Sequence, residues 1–254
     1  MRILTFNMQA GIGSQSTRDM VFGAGRQLRD GPRKRENIKK IGDFIKDFDI
    51  VCLQEIGLGG KRSGGISQLP RLIEISGLAH SAVQTNRVVG KVSIHGNAIL
   101  SRFPIRNAID RKLPGRVQGR GQMICEIEDL TIINTHLSLS SKAQSQQLNF
   151  ISADIKGRTS VVMCGDLNLR ASSRILTGFA ESSELKILTN IKTKSHPSWA
   201  PKRDLDHILI SPNLNSNSPT VHDVKISDHL PVSVTLIRPR KSKQKKTASV
   251  TRLN

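Results

Sequence analysis

Residues 161–168 read Val161-Val162-Met163-Cys164-Gly165-Asp166-Leu167-Asn168. Consecutive apolar side chains in so short a run predict a strand over Val161–Asp166 that is covered on both faces. Immediately upstream, Lys142–Lys156 sets Leu148, Ile151 and Ile155 at helical spacing, which predicts an amphipathic helix before the strand. The same order recurs near the start of the chain. A strand over Ile3–Asn7 is followed by a helix over Arg33–Asp47, with Ile38, Ile41, Ile45 and the adjoining Phe48 in phase, and then by a strand over Asp49–Glu55. Further strands are predicted over Asn97–Ser101, Gln122–Ile127, Leu130–His136, Asp206–Ser211 and Val232–Ile237. Doubly covered strands inside and amphipathic helices outside imply a layered α/β domain.

The chain has 254 residues, a length that suits one large domain, expected here over residues 1–237. Residues 238–254 (RPRKSKQKKTASVTRLN) carry seven basic side chains, no acid and no apolar period, and are expected to form a disordered basic tail. Gly57–Gly65 holds five glycines and two bases, the composition of a mobile loop after a strand. No apolar run approaches the roughly 18 residues needed to span a bilayer. The first residues run straight into strand pattern without a secretory leader, so a cytoplasmic location is expected. Cys52, Cys125 and Cys164 are widely spaced inside apolar runs and read as small buried hydrophobes. Lys plus Arg number 39 against 20 Asp plus Glu, a net charge of +19. Such an excess keeps a chain soluble, and it is also the footprint of a protein that meets a polyanion.

Chemistry-bearing residues stand where the strands end. Asn7, Glu55, His136 and Asp166 close four of them, and Asp228-His229 precede the last. Strand ends converge on one rim of a sheet. Taken singly, Asp166 reads as an Asx-turn residue, Asp228 as a turn cap and His136 as a buried core histidine. Taken together, their types match hydrolysis of a phosphate ester. Glu55 offers hard oxygen ligands suited to Mg²⁺ or Mn²⁺, and neither a His-Glu-x-x-His nor a Cys-x-x-Cys zinc motif occurs. Asp166 can orient a water, while Asn168, His136 and His229 can donate to phosphate oxygens.

The ordered set Thr5-Phe6-Asn7, Leu53-Gln54-Glu55, Gly96-Asn97-Ala98-Ile99-Leu100-Ser101, Asn134-Thr135-His136-Leu137, Gly165-Asp166-Leu167-Asn168, Asp204-Leu205-Asp206-His207 and Ser227-Asp228-His229-Leu230-Pro231 resembles the endonuclease/exonuclease/phosphatase superfamily across residues 1–237. The resemblance implies a four-layer α/β/β/α sandwich of two mixed sheets, with the active site at one end of both. It implies Glu55 as the principal Mg²⁺ ligand (Mn²⁺ the alternative), with Asn7 nearby and Asp228 reaching the metal directly or through water. Asp166 resembles the residue that orients or deprotonates the attacking water, and Asn168 the amide that holds water and phosphate. His229 resembles the phosphate-binding histidine oriented by Asp206, and His136 a second histidine that acts as acid or stabiliser on the leaving side.

The chain contains no tyrosine, which disfavours the abasic-site branch of the superfamily, where a tyrosine stands in the catalytic region. The two-histidine pattern is closer to the deoxyribonuclease, sphingomyelinase and tyrosyl-DNA phosphodiesterase branches. Trp199 suits either stacking on a base or head group or, the reading favoured here, covering the sheet edge. Arg170 reads as a solvated turn residue. His80, His95, His196 and His222 fall outside the matched positions, and strand alternation turns His207 away from Asp206. Nucleic acid is the expected substrate, because its phosphodiester backbone best explains the positive charge. Phospholipid at an anionic membrane surface is the alternative, and a basic nucleic-acid-binding protein without turnover is the third reading.

Overall fold

A computed structural model describes residues 1–22, 30–116 and 119–237; the predicted basic tail, 238–254, lies outside them. The first sheet contains β1 (Arg2–Asn7), β2 (Ile50–Gly59), β3 (His80–Val89), β4 (Ser93–Ser101), β11 (Asn215–Ser216), β12 (Thr220–Val221) and β13 (Val232–Ile237). Its order is β11-β13-β1-β2-β4-β3, with β12 also on β13. The second runs β5 (Ile105–Lys112), β6 (Gly121–Ile127), β7 (Leu130–His136), β8 (Val161–Asp166), β10 (Asp206–Ile210) and β9 (Lys186–Ile187). Each is built around one parallel pair, β1 with β2 and β7 with β8, flanked by antiparallel neighbours. A parallel pair needs a crossover, and helices supply it.

Besides the short α1 (Thr17–Phe22), helices α2 (Pro32–Ile45) and α3 (Leu69–Ser76) cover the first sheet, while α4 (Ser141–Ile155) and α5 (Arg174–Ser182) cover the second. Pro32 starts α2, where its missing N–H would be unpaired in any case. Ser140 caps α4 by accepting from the Ala143 N–H. The strand pattern explains the layering. In β8, Val161 and Met163 face α4 and α5, whereas Val162 and Cys164 face the other sheet. Likewise Leu4 and Phe6 of β1 meet Ile38, Ile41 and Ile45 of α2, while Ile3 points between the sheets. The result is the expected four-layer α/β/β/α sandwich. All three cysteines are unpaired and lie in the layer between the sheets.

That middle layer is crossed by a polar bridge. Gln54 Nε2 of β2 donates to Asn134 Oδ1 of β7 at 2.8 Å, and Asn134 Nδ2 donates back to the carbonyls of Leu53 (2.9 Å) and Ala98 (2.8 Å). At the sheets' shared edge, Gln84 of β3 donates to Gln122 O at 2.9 Å and to the Asp110 carboxylate.

The structure corrects two expectations about β2. The strand does not end at Glu55 but runs on to Gly59, and Gly57–Gly59 is therefore strand, followed by a 3₁₀ turn over Lys61–Ser63. A β-bulge makes this possible: Leu53 pairs with Ala98 and Ile56 with Gly96, so that Gln54 and Glu55 together face one residue of β4. β3 and β5 were not predicted, because they are edge strands whose polar, largely exposed side chains carry little hydrophobic alternation. The short α3 and α5 were also not predicted. No helix among the described residues is long and apolar enough to cross a membrane.

Replacing Asn134 by Ala removes three buried hydrogen bonds between the sheets. The expected loss is about 2–4 kcal/mol of unfolding free energy in a urea titration. A loss below about 1 kcal/mol would show that the bridge is not what fixes the sheets.

Candidate active site

The registers put the polar strand ends side by side. In the second sheet His136 of β7 pairs with Asp166 of β8, and Asp166 pairs with Asp206 of β10. In the first, Asn7 of β1 stands beside Gln54 of β2. Gly165 allows the close approach of β7 and β8 that this requires, since a Cβ there would lie 1.9 Å from Thr135 O.

Asp166 is the hub. Its Oδ1 accepts from the Asn168 N–H at 3.1 Å, the Asx turn read from sequence, and its Oδ2 accepts from Asn7 Nδ2 of the opposite sheet at 3.0 Å. The Nε2 atoms of His136 and His229 lie 3.4 and 3.7 Å from that same Oδ2. His229 is held from behind, its Nδ1 donating to Asp206 Oδ2 at 2.7 Å, and Ser195 Oγ donates to the same oxygen at 2.5 Å. Burial opposes charge on His229, but the Asp206 and Asp166 carboxylates and the Asp206 hydrogen bond outweigh it and raise its pKa well above the ordinary value. That shift favours the imidazolium form, whose Nε2–H faces the Asp166 side of the rim.

Glu55 sits in the bulge with φ +56°, a left-handed conformation that a glutamate adopts only under constraint. Its carboxylate has no hydrogen bond or ion pair among the described residues. Burial and the nearby charges of Asp228 and Asp166 raise its pKa. Asp228 Oδ2 accepts from Gln9 Nε2 at 3.0 Å. Asn7 Oδ1 accepts from the Gln9 N–H at 3.1 Å, which leaves one lone pair on the atom expected to approach a metal. Asn168, also in the left-handed region, donates from Nδ2 to Leu137 O at 3.0 Å, while Gln144 of α4 donates to its carbonyl at 2.9 Å and fixes the turn.

The profile of the endonuclease/exonuclease/phosphatase family matches residues 4–229, a span that contains every one of these groups. The chain belongs to this family. Its members are metal-dependent phosphoesterases, and this member is a hydrolase of that kind. Solved structures agree on the fold. A Beutenbergia cavernae endonuclease/exonuclease/phosphatase superposes with a TM-score of 0.74 at 20% identity, covering 93% of this chain and 71% of that one. A Bacteroides thetaiotaomicron mannosyl-6-phosphatase gives 0.67 at 17% identity, over 94% of this chain and all (100%) of the other. The human Nocturnin catalytic domain, with a bound sulfate, gives 0.64 at 17% identity over 93% and 94%. No curated protein matches the chain in sequence.

For this phosphoesterase the structure gathers all eight expected residues at one rim and changes the reading of His136. Arg120 Nη1 lies 2.8 Å from His136 Nε2. A guanidinium only donates, so that nitrogen carries no proton. Burial, reinforced by Arg120 and His229 and opposed by Asp166, lowers His136 to about 3. A neutral imidazole whose Nε2 lone pair is occupied cannot serve as the acid on the leaving side; it holds Arg120 instead.

Arg120, Gln9 and His196 are site residues that sequence reasoning missed. Arg120 lies in the segment before β6 and Gln9 in a 3₁₀ turn after β1, and nothing in their spacing marks them. His196 stands in His196-Pro197-Ser198-Trp199, set aside as outside the matched positions, yet its ring lies 4.6 Å from that of His229. His207 does point away, its Nε2 meeting Leu169 O at 2.9 Å, and Arg170 braces Lys202 O (3.1 Å) and Asp204 (3.3 Å) rather than the site.

The His136 shift fixes a pH dependence. The unfolded residue takes up a proton near its ordinary value of 6.5 and the native one only near 3. Its contribution to stability is thus present above 6.5 and lost as pH falls through that window, at up to about 1.4 kcal/mol per pH unit. Urea titrations of the parent and of His136→Gln should show the parent's advantage shrinking between pH 7 and pH 4; a constant gap would contradict the neutral assignment.

Proposed function

We propose that the chain is a Mg²⁺-dependent phosphodiesterase acting on nucleic acid. The observation that carries the hydrolytic reading is the placement of His229, its Nδ1 2.7 Å from Asp206 and its Nε2 3.7 Å from Asp166, on the same rim as a carboxylate, Glu55, that has no hydrogen bond or ion pair among the described residues. An unpaired carboxylate crowded by Asp228 and Asp166 fits a hard divalent cation, and Glu55, Asp228 and the remaining lone pair of Asn7 Oδ1 are the oxygens that would hold it. Such a cation would neutralise a phosphate oxygen and ease departure of the alkoxide.

The chain's own residues supply the rest. Asp166 accepts a proton from the attacking water and orients its oxygen toward phosphorus. His229 Nε2–H and the free N–H of Asn168 donate to the phosphoryl oxygens as their charge grows. Arg120, pinned by His136 and carrying a buried Nε without a partner, adds a fixed positive charge on the same rim. Asp206 stabilises the imidazolium and sets its orientation.

Charge supports the choice of nucleic acid. Arg87 lies against Gly119 next to Arg120, and Arg203 pairs through its backbone with His196, so bases border the site on two sides of a chain that carries +19. One observation favours the phospholipid alternative: Val88, Val89 and Val92 at the β3–β4 turn are 62%, 43% and 37% exposed, beside Arg87 and Lys91. An apolar tip flanked by bases suits an anionic bilayer. Supercoiled plasmid, RNA and anionic liposomes, each incubated with Mg²⁺ or with chelator, separate the readings. Cleavage of plasmid or RNA that chelator abolishes is the expected result; hydrolysis confined to liposomes would replace nucleic acid with lipid, and binding without turnover would leave only the third reading.

Asp166→Asn and His229→Ala are expected to lower turnover at least about a hundredfold with folding retained. Glu55→Gln should raise the Mg²⁺ concentration needed for half-maximal rate. Full activity in excess chelator would exclude the metal.

Ending the chain at Ile237 removes seven bases and no site residue. Saturated turnover should stay unchanged, while the slope of log affinity against log salt on duplex DNA falls by at most about 6. Identical slopes would place the polyanion contacts wholly on residues 1–237.

A further inference from the structure

We propose that His196, Asp228 and His229 form a site for Zn²⁺ at the mouth of the catalytic centre, which shares Asp228 with the oxygen site but does not use Glu55, and which is inhibitory when filled. One ligand atom from each of the three lies within 4.8 Å of the others. Tetrahedral coordination brings ligand atoms to about 3.4 Å from one another, a closure that side-chain rotation can provide. Two imidazoles and one carboxylate, with a fourth position open, are a donor set for Zn²⁺ and a poor one for Mg²⁺.

Two further observations point to a ligand. His196 makes no side-chain hydrogen bond among the described residues, and its Nδ1 is buried without a partner. His229 is presented as a metal-binding histidine usually is, with Asp206 on Nδ1 so that Nε2 is the nitrogen left for a ligand. The backbone around both is fixed. His196 exchanges hydrogen bonds with Arg203 (3.0 and 2.9 Å), Leu230 N–H donates to Ser195 O at 2.7 Å, and Ser198 N–H donates to Asp228 O at 2.8 Å. The neighbouring trio Asp166, Asp206 and His229 also falls within ligand distance, but both Asp166 oxygens already accept from Asn7 and Asn168, and Asp206 lies behind His229, bound to the Nδ1 side of the ring.

Coordination through His229 Nε2 sends that nitrogen's proton to solvent and removes the donor meant for phosphate. Zn²⁺ therefore competes with substrate. The inference rests on this geometry and not on the choice of nucleic acid as substrate.

The test is direct binding to the full chain in the presence of Mg²⁺, by calorimetry with Zn²⁺ and by visible absorption with Co²⁺ as a coloured substitute. One site per chain is expected, with four-coordinate Co²⁺ bands. His196→Phe, which keeps a flat ring against His229, should weaken Zn²⁺ at least about tenfold, and Glu55→Gln should leave it in place. Absence of binding in the parent, or equal affinity in His196→Phe, overturns the proposal; so does loss in Glu55→Gln with retention in His196→Phe, which puts Zn²⁺ on the oxygen site. Imidazole NMR of the parent gives a second readout that needs no variant. Zn²⁺ should shift the His196 and His229 resonances, and shifts confined to other histidines overturn the assignment. Because binding is read without substrate, a chain that cleaves nothing can still pass or fail.

Discussion

Everything at the catalytic rim depends on two sheets being held in one register, and the Gln54–Asn134 amide pair is the contact that can do this. Apart from the Gln84 and Asn97 contacts at its edge, the rest of the layer between the sheets is mainly aliphatic and sulfur-bearing, and such packing resists separation better than it resists sliding. An amide pair has fixed donor and acceptor directions. It also lies one residue from Glu55 on β2 and two from His136 on β7. The Asn7–Asp166 hydrogen bond repeats the device at the rim itself, so a slip between sheets breaks a polar contact at two depths.

With that register set, the electrostatics follow from which groups are paired. The acids of the second sheet are partnered internally: Asp206 through Oδ2 by His229 and Ser195, Asp166 through both oxygens by Asn168 and Asn7. Glu55 of the first sheet is not, and it faces two other carboxylates. The site therefore carries a fixed cation on one side and an unmet demand for one on the other. A phosphate bridging the two would find both a donor and a metal, which is the asymmetry that hydrolysis of a phosphoester needs.

The end of β8 was legible because a doubly covered strand leaves an unbroken apolar run, and the polar residue that stops it is conspicuous: Asp166 after Val161-Val162-Met163-Cys164-Gly165. The bulge at Glu55 was not legible. A bulge leaves the hydrophobic pattern of β2 intact on both sides and shows itself only in the pairing with β4. Arg120, Gln9 and His196 were missed for a related reason. They come from turns and connections outside the regular strands and long helices, and no local period announces them. The acid role open to His136 was not excluded from sequence because burial and a neighbour distant in local pattern, Arg120 just before β6, decide it.

The three cysteines between the sheets have a consequence for observing this molecule in motion. Cys52 and Cys164 are within thiol contact across the gap, and burial pushes the Cys125 thiol up to about 12. As long as the sandwich stays shut, all three are unreactive and out of reach. A thiol reagent in solution acquires a target only in the moments when the sheets part, so its rate of uptake is a clock for the opening of the same interface that aligns the catalytic rim.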